Sequence, residues 1–213
     1  MAALLHPPVL LLTGLVVTFA LVIVALSSTL LILGNERREL AHEVVTDSLT
    51  GAFNRRCLDA CLATAIERLN RTGEPASLAV FDVDHFKAIN DELGHAAGDR
   101  VLKAIVAVLA GRVRKLDVLF RVGGEEFALL LTNARSPDGL HVADEMRRLI
   151  AEADLVPGRK LSVSAGVSEL RRGETASEWL NDADAALYRA KRAGRNRVAG
   201  AFIPMRKRIA IGR

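Results

Sequence analysis

Two adjacent glycines, Gly123 and Gly124, separate a pair of apolar runs, Leu119-Phe120-Arg121-Val122 before them and Phe127-Ala128-Leu129-Leu130-Leu131 after. Glycine supplies the positive φ angles of a tight turn at no steric cost, so the two runs are predicted to be the antiparallel strands of one hairpin, 118–123 and 126–132. A hairpin in mid-chain argues against a doubly wound parallel sheet and for a mixed one. The same turn carries Glu125 and Glu126, and a tip without side chains lets a ligand approach the backbone. Paired carboxylates there have the chemistry to hold a metal and a polyphosphate.

Some forty residues earlier, Leu78-Ala79-Val80-Phe81-Asp82-Val83-Asp84 is a short apolar run ending in two acids, which predicts a buried strand over 77–83. Asp82 and Asp84 are two apart and face one side of an extended chain. Carboxylates, a backbone carbonyl and substrate phosphates are the oxygen ligands that Mg²⁺ prefers. Asp82 and Glu125 are the candidate metal pair. Apolar spacing predicts helices over 53–71, 86–93, 99–115, 136–153 and 176–193, further strands over 160–169 and near 197–203, and no internal repeat. The class is α/β, a mixed central sheet flanked by helices.

Before these elements, Val9 to Leu33 contains no charge and no proline, which amounts to about 37 Å of helix at about 1.5 Å per residue. That is longer than a hydrocarbon core of about 30 Å. The first eight residues lack the basic start of a secretory signal, so a retained anchor is predicted. Arg37 and Arg38 follow the run and nothing basic precedes it, which puts the C-terminal side in the cytoplasm. The expected organisation is a tail (1–8), a transmembrane helix (9–33), a helical linker (34–46) with a fragment of heptad seam at Leu33, Leu40 and Val44, one soluble domain (47–200) with Asp47 in an N-cap region, and a basic tail (201–213). That localises a single-pass protein to the inner membrane. The net charge is +4, but the basic residues are dispersed and aromatics make up 4%, so no nucleic-acid partner is expected. Cys57 and Cys61, the two cysteines, lack the further ligands of a zinc site and read as core or half-buried side chains.

The remaining motifs run in order: Asp47-Ser48-Leu49-Thr50-Gly51 with Asn54-Arg55-Arg56; Phe81-Asp82-Val83-Asp84-His85-Phe86-Lys87; Gly94-His95 with Gly98-Asp99; Arg121-Val122-Gly123-Gly124-Glu125-Glu126-Phe127; Ser164-Ala165-Gly166-Val167; and Ala183-Asp184-Ala185-Ala186-Leu187-Tyr188-Arg189-Ala190-Lys191 ending in Gly194-Arg195-Asn196. From Asp47 to about Val198 the chain resembles the GGDEF family of diguanylate cyclases. The resemblance implies the palm-like fold of class III nucleotidyl cyclases. It also implies condensation of two GTP into cyclic di-GMP with release of two pyrophosphates across a homodimer of domains.

The roles it implies fall on particular residues. Asp82, the Val83 carbonyl and Glu125 hold Mg²⁺ or Mn²⁺; Glu125, Glu126 and Lys87 are catalytic; Asp84 supports the strand end. Asn90, His95, Asp99, Gly123 and Gly124 contact the substrate, Asn90 and Asp99 reading guanine. Lys191 and Arg195, four apart on the last predicted helix, contact phosphate. Gly94 and Gly98 are expected in tight turns around the base. Arg114-Lys115-Leu116-Asp117 matches the family's product-binding motif, with Arg114 and Asp117 forming an inhibitory site for cyclic di-GMP. Two other readings compete, a non-catalytic module that binds GTP or cyclic di-GMP and an adenylate-type cyclase. The intact acids argue against the first, and Asn90 with Asp99 against the second. No phosphodiesterase domain is expected downstream.

Overall fold

The computed structural model describes Val24, Ser27, Ser28 and residues 45–201. The chain divides into Met1–Val44 and Val45–Arg213, and the second unit carries the fold. Its elements are α1 (Arg55–Thr72), β1 (Ala76–Val83), α2 (Phe86–Leu93), α3 (His95–Ala110), β2 (Val118–Gly123), β3 (Glu126–Thr132), α4 (Ser136–Glu152), β4 (Val163–Glu169), α5 (Ala176–Arg192) and β5 (Val198–Gly200). The sheet order is β2-β3-β1-β4-β5. All neighbours are antiparallel except β4 and β5, so the sheet is mixed, as the central hairpin requires.

Period-two alternation sorts the strand residues onto two cores. On β1, Ala79, Phe81 and Val83 join the cluster that α2, α3 and α4 cover with Phe86, Ile89, Ile105, Leu109 and Met146. Ala76, Leu78 and Val80 face the other way, against Leu58 and Leu62 of α1 and Trp179 and Leu187 of α5. Asp82 extends this second row, so its carboxylate emerges on the α1/α5 face. The helices stop and start where side chains permit. Asn54 caps α1 by accepting from the Cys57 N–H, and Gly73 closes it at φ 79°. Thr175 and Glu178 form a capping box at the start of α5.

Gly166 brings α5 close to β4. A Cβ there would lie 2.1 Å from the Ala183 carbonyl oxygen and 2.2 Å from the Leu187 nitrogen, so only glycine lets the helix backbone rest on the strand. The Trp179 indole N–H donates to the Ser168 carbonyl at 2.9 Å and fixes the helix along its length. Cys57 and Cys61 are half-buried against the same core.

Several expectations need correction. The helix expected over 99–115 begins at His95 and ends at Ala110, because Gly94 at φ 81° breaks the chain there and the Ala-rich start hides its periodicity. Gly98 is therefore helical and forms no turn. The last helix ends at Arg192, and Arg195 lies beyond it at φ 60°; Lys191 and Arg195 do not share a helix face. Of the paired glycines only Gly124, at φ 40°, has a positive φ. The helix cap is Asn54, not Asp47; Asp47 instead accepts from the Thr50 N–H and hydroxyl at 2.9 and 2.6 Å in a local turn. Among the described residues no helix is long and apolar enough to cross a membrane. Apart from Val24, Ser27 and Ser28, the run 9–33 lies outside the described residues, as do the seam at Leu33, Leu40 and Val44 and the tail from 202.

Candidate active site

Strand register assembles the acids. The β1/β3 ladder sets Asp82 opposite Glu126, and the Val83 N–H donates to the Glu125 carbonyl at 3.3 Å, which holds the turn against the end of β1. Like charges directly opposite each other weaken a ladder. Here α5 supplies the counter-charge: Lys191 Nζ lies 2.7 Å from Asp82 Oδ2, with Asp82 11% and Lys191 32% exposed at the side chain. Burial, then Asp82, Asp184 and Glu125, push the Glu126 carboxyl above its usual range, opposed by Lys191. Burial likewise raises Asp184, with Arg55 opposing. A cleft of about 180 Å³ beside these groups is lined by Arg55, Val122, Glu126, Asp184, Tyr188 and Lys191. Sequence reasoning gave Asp184 and Arg55 no role, although Asp184 lies two helical turns before Lys191 and so on its face. A larger hollow, about 270 Å³, lies at the other end of the sheet among Cys61, Arg68, Leu116 and Thr132 and touches none of the acids.

Asp84 accepts from the hydroxyls of Ser162 and Ser164, both at 2.7 Å, and from the Asn196 N–H at 3.0 Å. Three donors occupy it, so it ties β1 to β4 and to the Arg195-Asn196 loop. That agrees with a supporting role.

At the corner between α2 and α3, the Asn90 side chain lies over Gly98: a Cβ on Gly98 would come within 2.0 Å of Asn90 Oδ1. The requirement at Gly98 is close approach, not turn geometry. Asn90 Oδ1 is buried with no hydrogen-bond partner, an acceptor that costs free energy until a donor arrives. Asp99, next to Gly98, is exposed, as are His95 at the start of α3 and Lys87 in the first turn of α2.

The hairpin tip has a clamp that sequence reasoning missed. Arg121 Nε and Nη2 donate to the Gly124 carbonyl at 3.0 and 2.8 Å, and Nη1 donates to Asp47 Oδ1 at 2.9 Å. Burial pushes the Asp47 carboxyl up, but hydrogen bonds from Thr50 and Arg121 outweigh it and hold it below the usual range. The only sequence signal was a lone Arg two residues before the glycines, in an otherwise apolar strand.

Arg114 and Asp117 sit just before β2, at the opposite end of that strand from the acids. Arg114 is exposed, while Asp117 Oδ1 accepts from the Thr132 N–H at 3.1 Å. Burial raises the Asp117 carboxyl, against the pull of that bond and of Arg114.

Among the described residues no three His, Cys, Asp or Glu side chains are grouped to hold a metal unaided. That suits Mg²⁺, which takes one or two carboxylates and completes its shell with waters and substrate phosphates. Asp82, already paired to a cation, with the Val83 carbonyl and Glu125 beside it, is a hard-oxygen set that fits such an ion.

Comparison with known proteins gives the same picture. The family profile described as "Diguanylate cyclase, GGDEF domain" matches residues 44–197. Diguanylate cyclase DgcP of Pseudomonas aeruginosa is 43% identical over 160 residues, covering 74% of this chain and 24% of that protein. The chain thus spans about a quarter of the length of that relative. The coiled coil and GGDEF domain of DgcB from Caulobacter crescentus, solved in complex with c-di-GMP, superposes with a TM-score of 0.80 at 29% identity, covering 86% of this chain and 100% of that one. The active GGEEF domain of a diguanylate cyclase from Vibrio cholerae gives 0.67 at 36% identity, covering 70% and 97%. With the profile spanning most of the chain, and the strand end, acidic turn and final helix meeting as described, the protein belongs to the GGDEF family.

Proposed function

We propose that the chain is a diguanylate cyclase that converts two GTP into cyclic di-GMP and two pyrophosphates. The observation that carries this reading is the meeting of Asp82, Glu125, Glu126 and Lys191 at one end of the central strands β1 and β3. In each half-reaction the 3′-hydroxyl of one GTP attacks the α-phosphorus of the other. The bond to the β-phosphate oxygen breaks, pyrophosphate leaves, and the hydroxyl proton passes to a turn carboxylate, Glu125 or Glu126. Mg²⁺ or Mn²⁺, when held by Asp82, the Val83 carbonyl and Glu125, would neutralise charge on the attacking and leaving oxygens. Lys87, Lys191 and Arg195 bind and orient phosphate oxygens. Asn90 and Asp99 receive guanine, whose N1–H and N2–H₂ edge offers donors that adenine lacks.

Each domain offers one such half-site, so two domains must face each other for a two-nucleotide product. Arg114 and Asp117 form a separate product site, supported by their distance from the acids along β2. The apolar run 9–33 supports a single-pass anchor in the inner membrane, with Arg37 and Arg38 and the catalytic domain on the cytoplasmic side. Incubation of the detergent-solubilised chain with Mg²⁺ and either GTP or ATP, with products weighed by mass spectrometry, tests the assignment. Cyclic di-GMP from GTP and no cyclic dinucleotide from ATP are expected; comparable turnover of ATP contradicts the guanine assignment, and no product from GTP contradicts the activity.

A further inference from the structure

We propose that Lys191 is a resident cation of the metal carboxylate, which divalent metal must displace and nucleotide phosphate draws away. The inference rests on the reading of Asp82 as a metal ligand and adds an order to the filling of the site. Lys191 Nζ and Asp82 Oδ2 are 2.7 Å apart, so the ammonium stands where a metal approaching that oxygen must come. An ammonium and a divalent ion this close repel each other strongly in a partly buried site. One of them has to leave unless an anion comes between them.

The helix cannot make that room. A Cβ on Gly166 would already collide with backbone atoms of Ala183 and Leu187, so α5 is seated on β4 one turn before Lys191, and its last turn is held by the Ala193 N–H bond to the Arg189 carbonyl at 2.9 Å. The exchange therefore belongs to the four-carbon stem of the lysine, which can swing its charge while its Cα stays in place. A triphosphate supplies the anion that draws it off. Lys191 on a phosphate oxygen frees Asp82, and a metal on Asp82 frees Lys191 for phosphate, so metal and nucleotide each strengthen the other's binding. Metal alone is held weakly. With neither present, the pair also neutralises the Asp82/Glu126 repulsion, and the empty site stays folded.

The test is binding of Mn²⁺ to the full chain, read from loss of the free-ion electron paramagnetic resonance signal, first without nucleotide and then with 3′-deoxy-GTP, which lacks the attacking hydroxyl, each nucleotide measurement being referred to the same nucleotide and Mn²⁺ without protein. Lys191→Met should bind Mn²⁺ about two- to fivefold tighter than wild type without nucleotide, the range for loss of one partly exposed ion pair. Lys191→Arg, which keeps the cation, should match wild type. 3′-Deoxy-GTP should tighten Mn²⁺ binding in wild type and narrow its gap from Lys191→Met. Asp82→Asn should lose most Mn²⁺ binding. Equal affinity of wild type and Lys191→Met, with Asp82→Asn still deficient, overturns the displacement and leaves the metal site standing. Unimpaired binding by Asp82→Asn overturns the metal site itself, and the inference with it.

Discussion

Gly98 and Asn90 show what one atom decides. Without a Cβ at position 98 the Asn90 amide lies across the helix start with its Oδ1 buried and unpartnered, and the proposed guanine supplies the missing donor. Gly98→Ala should push that amide aside without touching metal or phosphate groups. The expected result is a KM for GTP raised roughly ten- to hundredfold, the cost of one buried hydrogen bond, with kcat changed less. Steady-state kinetics of Gly98→Ala beside Asn90→Ala check it, and an unchanged KM in both would remove Asn90 from the substrate. The sequence named both residues but not their relation. A glycine between two predicted elements reads as a turn, and only the packing of α2 on α3 reveals that it makes room for a side chain.

At the scale of elements, the strands β1, β2 and β3 were legible because short continuous apolar runs bounded by acids or a glycine turn leave little choice of structure. The register was not. That Asp82 faces Glu126 depends on how β1 registers against β3, a strand that no turn joins to it, and that Lys191 reaches Asp82 depends on a helix 109 positions downstream packing on Gly166. Spacing along the chain carries neither fact. The Arg121 clamp between Gly124 and Asp47 was equally hidden, and it predicts an acid sensitivity. Asp47 has a carboxyl depressed in the folded state, so its contribution is present above the unfolded value of about 3.9 and is lost as pH falls through the folded value. Thermal melts of wild type and Asp47→Asn should therefore differ at neutral pH, wild type being more stable, and converge once pH has fallen below the folded value. A gap that persists unchanged at low pH would mean that the clamp does not rest on the carboxylate charge.

For the whole molecule, the acids lie at one end of the sheet and the proposed function gives each domain one nucleotide half-site, so output should depend on the meeting of two chains. In detergent the specific activity should rise with protein concentration and then level off as dimers saturate. A flat dependence from nanomolar to micromolar protein, with a monomer by light scattering, would contradict catalysis across a dimer. Product feedback belongs to the same scale, because Arg114 and Asp117 stand apart from the acids. Arg114→Ala should keep its initial rate while losing inhibition by added cyclic di-GMP; equal inhibition of both proteins would reduce the motif to a surface contact with Thr132. The central claim concerns the acids themselves and is tested most directly by weighing the product of GTP and Mg²⁺ from wild type, Asp82→Asn and Glu125→Gln side by side. The account predicts cyclic di-GMP from wild type and at least about a hundredfold less from each variant, with folding retained by circular dichroism, because charge stabilisation of that size is lost with a metal ligand. Near wild-type yield of cyclic di-GMP from either folded variant would contradict it.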